Sequence, residues 1–308
     1  HPKKSWHQTV NRLRAEHRLT PVSLLCSLFG KTKQAYYKYD DRSLEYLARE
    51  EFVLGYVKQV RAKDPGIGCE KLWLMYRQSF GEAYAVGRDR FCGILSKYGL
   101  TLRNRSNRPR TTNSGHNLPK YPDLTAKLLV ERPNQLWVSD ITYIIIWTDN
   151  EHYIFCYLSL ITDAYTKEII GYCVGDTLES IYTVKALEMA MERLKDNPVT
   201  GLIHHSDRGV QYASLQYISC LKQKQIQVSM TETGNPKDNA VAERVNGIIK
   251  GELLRGMTFH DIGEVRRVVK AAIEFYNNER PHMSLDMMTP AQAAGENGTI
   301  RKRWGSYR

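Results

Sequence analysis

Three acidic residues stand where a metal-dependent phosphoryl-transfer site needs carboxylates. Asp140 interrupts a strongly β-prone run over residues 136–146. Asp207 closes a short apolar run, and Glu243 lies in a helix-like segment. An acid among such residues is costly unless it is paired or bound to a cation. Three carboxylates that converge from two strands and a helix can hold two divalent cations about 4 Å apart, as in nucleases and polymerases. The residue types and their settings therefore predict a two-metal site.

The composition points to a polyanionic partner. The 308 residues carry a formal net charge of +11, and the pI is about 9.3. Such a balance is typical of nucleic-acid-binding proteins. No apolar run approaches the 18 or more residues of a membrane span, and no signal peptide is visible. We therefore expect a polyanionic partner, although many basic proteins are merely soluble, and no membrane partner. If that partner is DNA, the expected location is cytoplasmic and nucleoid-associated.

Residues 1–100 contain frequent helix-breaking residues, in the pattern typical of a region of several helices. A helix begins near Pro21 and is broken by Gly30, and a short basic, aromatic helix, KTKQAYYKY, follows over residues 31–39. This outline is that of a helix-turn-helix, whose second helix can enter the DNA major groove. A second pair is predicted over residues 69–98, although any three-helix protein shows similar breaks. The side chains expected to contact DNA are Lys31, Lys33, Tyr36 and Tyr37.

Two further segments of the N-terminal half have simpler interpretations. Gly30-Lys31-Thr32 resembles the end of a P-loop, but position 25 is Leu and no strand precedes it, so we expect no nucleotide cofactor. Residues 101–122 are rich in Asn, Ser, Pro and Arg and predict a linker. This linker is either a solvated connector or a segment that follows the phosphate backbone. Its cationic candidates for DNA contact are Arg103, Arg105, Arg108 and Arg110.

The pattern changes to strands from about residue 133. Three strands are predicted over residues 136–148, 153–162 and 168–174, and alternating helices and strands follow to residue 230. This order implies a mixed α/β sheet with flanking helices, and it matches a ribonuclease-H-like domain. We expect that catalytic domain over residues 123–295 and a basic tail over 296–308. Asp163, after the second strand, is expected to fix a turn.

The segment that carries Glu243 reads as an amphipathic helix. Its apolar residues recur at helical spacing and should pack on the sheet. These residues are Val241, Val245, Ile248 and Ile249. The opposite, polar face carries Asn239, Glu243, Asn246 and Lys250. Lys250 lies seven residues beyond the glutamate, so an uninterrupted helix would set it two turns further along the same face.

Several short motifs of the sequence closely resemble those of bacterial insertion-sequence DDE transposases of the retroviral-integrase type. They are WVSDITY at 137–143, HHSDRGVQY at 204–212, GNPKDNAVAE at 234–243 and YNNERPH at 276–282. The resemblance is greatest to the integrase-like second-frame product of the insertion-sequence-three family, and it covers about residues 8–295. It implies that Asp140, Asp207 and Glu243 are the catalytic, metal-binding triad. It also implies DNA contact by Lys250, and we expect the same of Arg208 and Asn239.

The resemblance implies a reaction as well. The triad would hold two Mg²⁺ or Mn²⁺ ions, which favour carboxylate oxygens. The enzyme would cleave DNA at the ends of the insertion sequence and transfer the freed 3′-hydroxyl by in-line phosphoryl transfer. The expected partners are the terminal repeats and the target DNA, on which the chain would assemble as a homo-oligomer.

Two other functions fit parts of the sequence. A tyrosine-type site-specific recombinase uses His and Arg with a nucleophilic tyrosine, and His205 and Arg208 satisfy its HxxR pattern. That interpretation leaves Asp140 and Glu243 without a role, and it predicts a covalent protein–DNA adduct. A non-catalytic DNA-binding regulator from a decayed element is the second alternative, and it predicts no metal-dependent nicking.

Overall fold

The computed structural model describes residues 2–102, 119–194, 200–232 and 239–301. The chain forms two compact units. The first comprises residues 1–58 and 76–100, and the second comprises residues 59–75 and 101–308. Residues 59–75 therefore group with the second unit, although they lie within the predicted N-terminal region.

In the described residues of the first unit, the secondary-structure elements are all helices. Its elements are α1 (Pro2–Glu16), α2 (Val22–Ser27), the first part of α3 (Lys33–Lys63), the last part of α4 (Cys69–Phe80), a 3-10 turn (Glu82–Tyr84) and α5 (Arg88–Lys97). The predicted helix, turn and helix around Gly30 are present, and Gly30 itself has a φ of +61°. A small core joins α1, α2 and α3 through Val10, Leu25, Cys26 and Tyr36.

Helix α3 is far longer than the predicted nine-residue helix over 31–39. It continues for 31 residues to Lys63. No proline occurs between its first residue and Pro65, so nothing in this stretch removes a backbone donor or forces the chain out of helical geometry. The prediction of a short helix was wrong for that reason. No helix in the described part of the chain combines the length and the apolar character needed to cross a membrane.

The second unit is built on a five-stranded sheet. Its strands are β1 (Leu136–Trp147), β2 (Tyr153–Asp163), β3 (Ile169–Gly175), β4 (Ile203–Ser206) and β5 (Gln227–Met230). They lie in the order β3-β2-β1-β4-β5. The first three strands are antiparallel, whereas β4 and β5 run parallel to β1. This mixed sheet confirms the predicted ribonuclease-H-like architecture.

Helices cover both faces of this sheet. They are α6 (Ser180–Glu192), α7 (Leu215–Gln223), α8 (Ala240–Ile248) with a π turn (Ile249–Leu253), α9 (Ile262–Asn278), a 3-10 turn (Met283–Leu285) and α10 (Pro290–Ala293). Trp137 of β1 packs in one core cluster with residues of α6 and α7. Its neighbours Leu136 and Val138 pack instead in a cluster with Ala242 of α8. Alternate residues of β1 thus face different helices, as the pleat of a strand requires.

Asp163 fixes the turn after β2, as predicted. Its Oδ2 accepts a hydrogen bond from the backbone N–H of Asn134 at 2.6 Å. Its Oδ1 accepts from the N–H groups of Tyr165 and Thr166 at 2.8 and 2.9 Å. Three backbone donors satisfy this buried carboxylate, so it needs no metal to remain in the interior.

The contact between β3 and α6 depends on a residue without a side chain. A Cβ atom at Gly171 would lie 2.1 Å from the carbonyl oxygen of Ala186 and 3.0 Å from the Cβ of Ala190. Both atoms belong to α6, whose backbone cannot move away without opening the core. Glycine therefore sets the distance between this strand and this helix.

We expect Gly171→Ala to lower the free energy of unfolding by about 1–3 kcal/mol, which is the usual cost of overpacking a core. Gly247→Ala is the matched control, because Gly247 is exposed in α8 and a Cβ there meets no atom within 4 Å. That variant should be unchanged or stabilised by up to about 1 kcal/mol. Denaturant titrations measure both, and wild-type stability of Gly171→Ala would contradict the described packing.

Candidate active site

Strand register brings the two aspartates to adjacent positions. The parallel pair of β1 and β4 ends with Val138 opposite His205. When the same register is continued by two residues, Asp140 stands level with Asp207. Both side chains then leave the sheet on the face of Val138, because alternate residues of a strand share a face. Since neighbouring strands lie about 4.8 Å apart, the two carboxylates meet where β4 ends.

Asp140 is half-buried, as Asp207 is, and two hydrogen bonds hold its carboxylate. Its Oδ1 accepts a hydrogen bond from the N–H of Ile141 at 2.9 Å, and its Oδ2 accepts one from the Nδ2 of Asn246 at 2.8 Å. Burial and the charge of Asp207 raise the pKa of Asp140 to about 7. The two hydrogen bonds oppose that rise, and the charge of Glu243 adds to it. Both other carboxylates therefore act electrostatically on Asp140.

Asp207 is held by the loop that follows β4. Its Oδ1 accepts a hydrogen bond from the N–H of Gly209 at 2.9 Å. A Cβ atom at Gly209 would lie 2.9 Å from that same oxygen. The loop therefore folds closely around the carboxylate, and a side chain at this glycine would press on it. This contact fixes the direction of Asp207 at the end of the strand.

Two amide side chains tie the helix of Glu243 to the strand of Asp140. Asn239, at the start of α8, donates from its Nδ2 to the carbonyl of Ser139 at 2.9 Å. Asn246, two turns later, donates to Asp140. Both amides are 6% exposed, whereas Glu243 between them is exposed. The predicted DNA contact by Asn239 is therefore corrected, because its amide is committed to the backbone of β1.

The three acids form an electrostatic group and not a ready-made metal cage. Within the described residues, no three His, Cys, Asp or Glu side chains come close enough together to form a metal-binding cluster. The predicted apolar face of α8 is nevertheless in place, since Val245 and Ile248 are buried and Val241 packs against the core. The backbone that carries the glutamate is therefore well fixed, and its side chain extends to solvent.

Lys250 does not continue the polar face of an uninterrupted helix. The α-helix ends at Ile248, and a π turn follows in which the N–H of Leu254 bonds the carbonyl of Ile249 at 2.9 Å. Lys250 is half-buried, and its Nζ lies 3.6 Å from the ring centroid of Tyr143. Burial lowers the pKa of this lysine. Tyr143 stands three residues after Asp140 in β1, so the ammonium group lies beside the strand of the first acid.

A buried hydroxyl network supports β1 next to Asp140. The Nε2 of His204 lies 2.9 Å from the Oγ of Ser139 and 2.8 Å from the hydroxyl of Tyr217. Burial lowers the pKa of His204 to about 3, so the ring is neutral. The network joins β1, β4 and α7 through one imidazole. His204 thus acts in the support of the strand.

The histidine that a tyrosine recombinase would need is in the core. His205 is 0% exposed, and its Nδ1 lies 2.8 Å from the Oγ of Ser229 on β5. Arg208 is half-buried in the loop after Asp207. A histidine in that position cannot reach a scissile phosphate without unpacking the sheet. The geometry therefore gives the recombinase alternative no support.

The residues predicted to contact DNA in the first unit differ in exposure. Lys31 and Lys33 are exposed, and Tyr37 is 41% exposed with the Nζ of Lys33 5.9 Å from its ring centroid. Tyr36 is only 2% exposed and stacks on His7 with ring centroids 4.6 Å apart. The prediction of Tyr36 as a DNA contact is therefore corrected to a core position. The linker candidates Arg103, Arg105, Arg108 and Arg110 lie outside the described residues.

Known proteins resemble this chain over most of its length. Two family models described as "Integrase core domain" match residues 130–236 and 224–290. The insertion element IS600 uncharacterized 31 kDa protein of Shigella sonnei is 34% identical, over 87% of this chain and 96% of its own. The transposase for insertion sequence element IS629 of the same species is 28% identical, over 92% of this chain and 94% of its own.

Solved structures match this chain at lower similarity. A chain of the simian T-cell lymphotropic virus intasome in complex with PP2A regulatory subunit B56 gamma matches with a TM-score of 0.44 and 17% identity. The match covers 79% of this chain and 76% of that one.

Sequence patterns did not predict the buried ionic cluster behind the π turn, because its members are far apart in the chain. Glu252 accepts two hydrogen bonds from Arg280, Nε to Oε1 at 2.9 Å and Nη2 to Oε2 at 2.8 Å. Lys71 donates to the same carboxylate at 3.1 Å. Asp64, which is 0% exposed, has its Oδ2 3.9 Å from the Nε of Arg280. We call these four residues the ionic cluster.

The two acids of the ionic cluster have opposite pKa shifts. Burial opposes the charge of Glu252, but the hydrogen bonds and charge of Arg280, with the charge of Lys71, outweigh it and lower the pKa to about 2. Burial and the neighbouring charge of Glu252 raise the pKa of Asp64 to about 7. Asp64 is therefore the acid that titrates near neutral pH in the folded protein.

Asp64 should make stability fall as the pH rises. Its pKa is 3.8 when unperturbed and about 7 in the folded protein, so this contribution is complete below pH 4 and is lost as the pH rises through 7. Asp64→Asn keeps the shape and cannot ionise. Between pH 5 and pH 8 it should gain about 2–3 kcal/mol in free energy of unfolding relative to wild type.

Denaturant titrations of both proteins at the two pH values measure this difference. The contribution of Glu252 cancels, because both proteins contain it. A difference between the two proteins that stays constant with pH would show that Asp64 titrates normally in the fold.

Proposed function

Since this chain belongs to the integrase-core family of insertion-sequence transposases and is itself a DNA transposase, we propose that Asp140, Asp207 and Glu243 hold the divalent cations for its DNA cleavage and joining. The reaction proposed is cleavage at the ends of the insertion sequence, followed by transfer of the 3′-hydroxyl to a target strand. Each step is an in-line displacement at phosphorus and needs no nucleophile from the protein.

The observation that carries this proposal is the electrostatic coupling at Asp140. Burial, Asp207 and Glu243 all raise its pKa, to about 7. A half-buried strand therefore carries a carboxylate that two other carboxylates repel. The positive charge of a divalent cation would offset this repulsion, and carboxylate oxygens are the donors that Mg²⁺ and Mn²⁺ prefer. We propose two ions, which is the number that such three-carboxylate sites use to activate the attacking oxygen and stabilise the leaving oxygen.

The chain's own residues prepare the site for that role. Asn246 and the N–H of Ile141 hold the two oxygens of Asp140, and the N–H of Gly209 holds Asp207. Such fixed donors favour the ionised form of each acid and keep its oxygens in place. Glu243 completes the set from α8, whose exposed glutamate can follow the cation and the substrate.

The two chemical steps share this one site. In cleavage, a water oxygen forms the new bond to phosphorus, and the 3′-oxygen of the insertion-sequence end leaves with a proton. In strand transfer, that 3′-oxygen attacks a phosphorus of the target, and the target's own 3′-oxygen leaves. One phosphodiester is broken and one is formed, so strand transfer needs no external energy source.

DNA is proposed to contact both units. In the first unit, the exposed Lys31, Lys33 and Tyr37 would face the terminal repeat as part of a helix-turn-helix. In the second unit, Arg208 directly follows Asp207 and Lys250 lies beside Tyr143 of β1, and both would contact the phosphates near the scissile bond. The linker arginines would follow the backbone between these contacts. We propose that the chain assembles as a homo-oligomer on its DNA ends.

Asp140→Asn, Asp207→Asn and Glu243→Gln should each lower cleavage and strand transfer by at least about a hundredfold, because each removes charge that would hold a cation worth several kcal/mol to the transition state. DNA-end binding without metal should stay near wild type. Nicking of labelled end DNA with Mg²⁺ measures the loss, and Glu188→Gln, on the exposed side of α6, is the control. Near-normal turnover in any one of the three variants would remove that acid from the site.

Lys31→Ala with Lys33→Ala should weaken binding to end DNA and make it less dependent on salt. Each neutralised phosphate contributes a slope of about −0.9 in log K against log salt, so losing two contacts should flatten the slope by about 1.8. The control changes Lys222 and Lys224, which are exposed at the end of α7. Equal slopes in wild type and the Lys31/Lys33 variant would exclude these lysines from the DNA interface.

A further inference from the structure

The π turn after α8 carries one cationic and one anionic side chain, and the two lie in different environments. Lys250 lies over the ring of Tyr143, and Glu252, two residues later, enters the ionic cluster. Between and around them, Ile249 and Leu253 are 0% exposed and anchor the turn in the core. The position of the lysine therefore depends on how this one wide turn is held. π turns are rare, and they occur frequently at functional sites.

The ionic cluster holds the turn through its side chain. Glu252 is 17% exposed, and its partners Lys71 and Arg280 are 15% and 2% exposed. Arg280 donates to both carboxylate oxygens of Glu252 as a bidentate pair. This geometry fixes the orientation of the carboxylate as well as its distance. Lys71 approaches the same oxygens at 3.1 and 3.4 Å. Two cations therefore determine where this carboxylate lies.

A backbone contact holds the same residue. The N–H of Gly66 donates to the carbonyl of Glu252 at 3.0 Å. A Cβ atom at Gly66 would lie 2.5 Å from the Cα of Glu252. The segment from Asp64 to Lys71 thus contacts both the side chain and the main chain of one residue in the π turn. Such close backbone packing leaves the turn little freedom to shift.

We propose that Lys71 is a positioning residue for Lys250, acting through Glu252 and the π turn, so that the Lys250 ammonium stands beside Tyr143 to receive the DNA end. The contact with DNA rests on the proposed function, whereas the placement of Lys250 against Tyr143 does not. Lys71 donates to Glu252, and we expect it to contact neither the three proposed metal ligands nor the DNA. Its effect on the reaction is therefore expected in the engagement of the DNA end.

Lys71 is the member of the ionic cluster that can be changed with least damage. Lys71→Met keeps the length of the side chain and leaves the bidentate pair of Arg280 and Glu252 intact. Removal of Arg280 or Glu252 would instead leave a buried charge without its main partner, which is strongly destabilising. Lys71→Arg is the conservative variant, because it restores a cation at the same place.

The chain offers a closely matched control in Lys63. Its Nζ pairs with Glu279 at 2.9 Å, in the same unit and next in sequence to Arg280. The side chains of that pair are 56% and 47% exposed, so an exposed ion pair of the same type is lost in Lys63→Met. Such pairs contribute little, and the segment that carries them is otherwise unchanged.

The first measurement reads the placement of Lys250 without DNA, metal or activity. A 3-fluorotyrosine at position 143 gives one ¹⁹F resonance, and Lys250→Ala defines the shift of a ring without its cation. Lys71→Met should move the resonance most of the way to that value, while Lys63→Met and Lys71→Arg should leave it near wild type. A resonance that Lys71→Met does not move, in a protein with wild-type thermal stability, overturns the proposal.

The second measurement is a double-mutant cycle on cleavage of end DNA. Lys71→Met alone should raise the KM for DNA roughly three- to tenfold with little change in kcat, because contact residues of one network are coupled on that scale. In the Lys250→Ala background, the same change should have no further effect. Independent, multiplying effects of the two substitutions would overturn the proposal, since Lys71 would then act by another route.

The two measurements separate this proposal from the proposed function. If Lys71→Met moves the fluorine resonance but Lys250→Ala leaves the KM unchanged, the positioning stands and the DNA contact by Lys250 is wrong. If Lys71→Met does not fold, Lys71→Gln takes its place, since it keeps a hydrogen-bond donor and removes only the charge. A wild-type resonance for that variant counts against the proposal in the same way.

Discussion

The second unit is organised around an acid placed in the middle of a half-buried strand. Burial and two neighbouring carboxylates raise the pKa of Asp140 to about 7, so its ionised form needs stabilising interactions. Two hydrogen bonds supply part of this stabilisation, one from the N–H of Ile141 in the same strand and one from Asn246. A cation would supply the rest. The free-energy cost of burying one carboxylate thus explains why amide side chains, a glycine loop and a helix surround it.

Several secondary-structure elements hold Asp140 in position, each through a different contact. The parallel pairing of β1 and β4 sets the level of the two aspartates. Below them, His204 joins the hydroxyls of Ser139 and Tyr217 in a buried network, so the strand cannot shift along its neighbour without breaking several hydrogen bonds. Above them, α8 is fastened to β1 by two asparagines. The acids are therefore held by rigid strands and a braced helix, and Glu243 alone remains exposed to adjust.

Beyond α8, a wide turn links this site to an ionic cluster on its far side. The π turn separates the lysine beside the strand from the glutamate in the ionic cluster. Two fully buried aliphatic residues, Ile249 and Leu253, anchor the backbone of this turn in the core. Buried ion pairs contribute little net stability, but the loss of one partner is costly, so they fix geometry more than they add free energy. That property suits a group that holds the turn after α8 in place.

The sequence alone determined the elements and the candidates for chemistry. Period-two and helical patterns predicted all five strands and the order of the helices between them, because burial on a sheet leaves its period in the chain. The same local patterns singled out Asp140, Asp207 and Glu243, whose roles as metal ligands remain predictions. They failed for α3, where a short helix was expected, because the sequence around residue 39 contains no signal that stops it.

Only the tertiary structure decided how the polar residues are used. Tyr36 and Asn239 have the types and spacing of DNA contacts, yet both are buried and bonded to residues far away in the chain. The ionic cluster joins Lys71 to a carboxylate 181 positions further along. Amphipathic patterns predict which side of a helix or strand is buried, since every residue on that side contributes to the pattern. They do not predict which polar residue a buried side chain bonds, because that depends on one contact between distant segments of the chain.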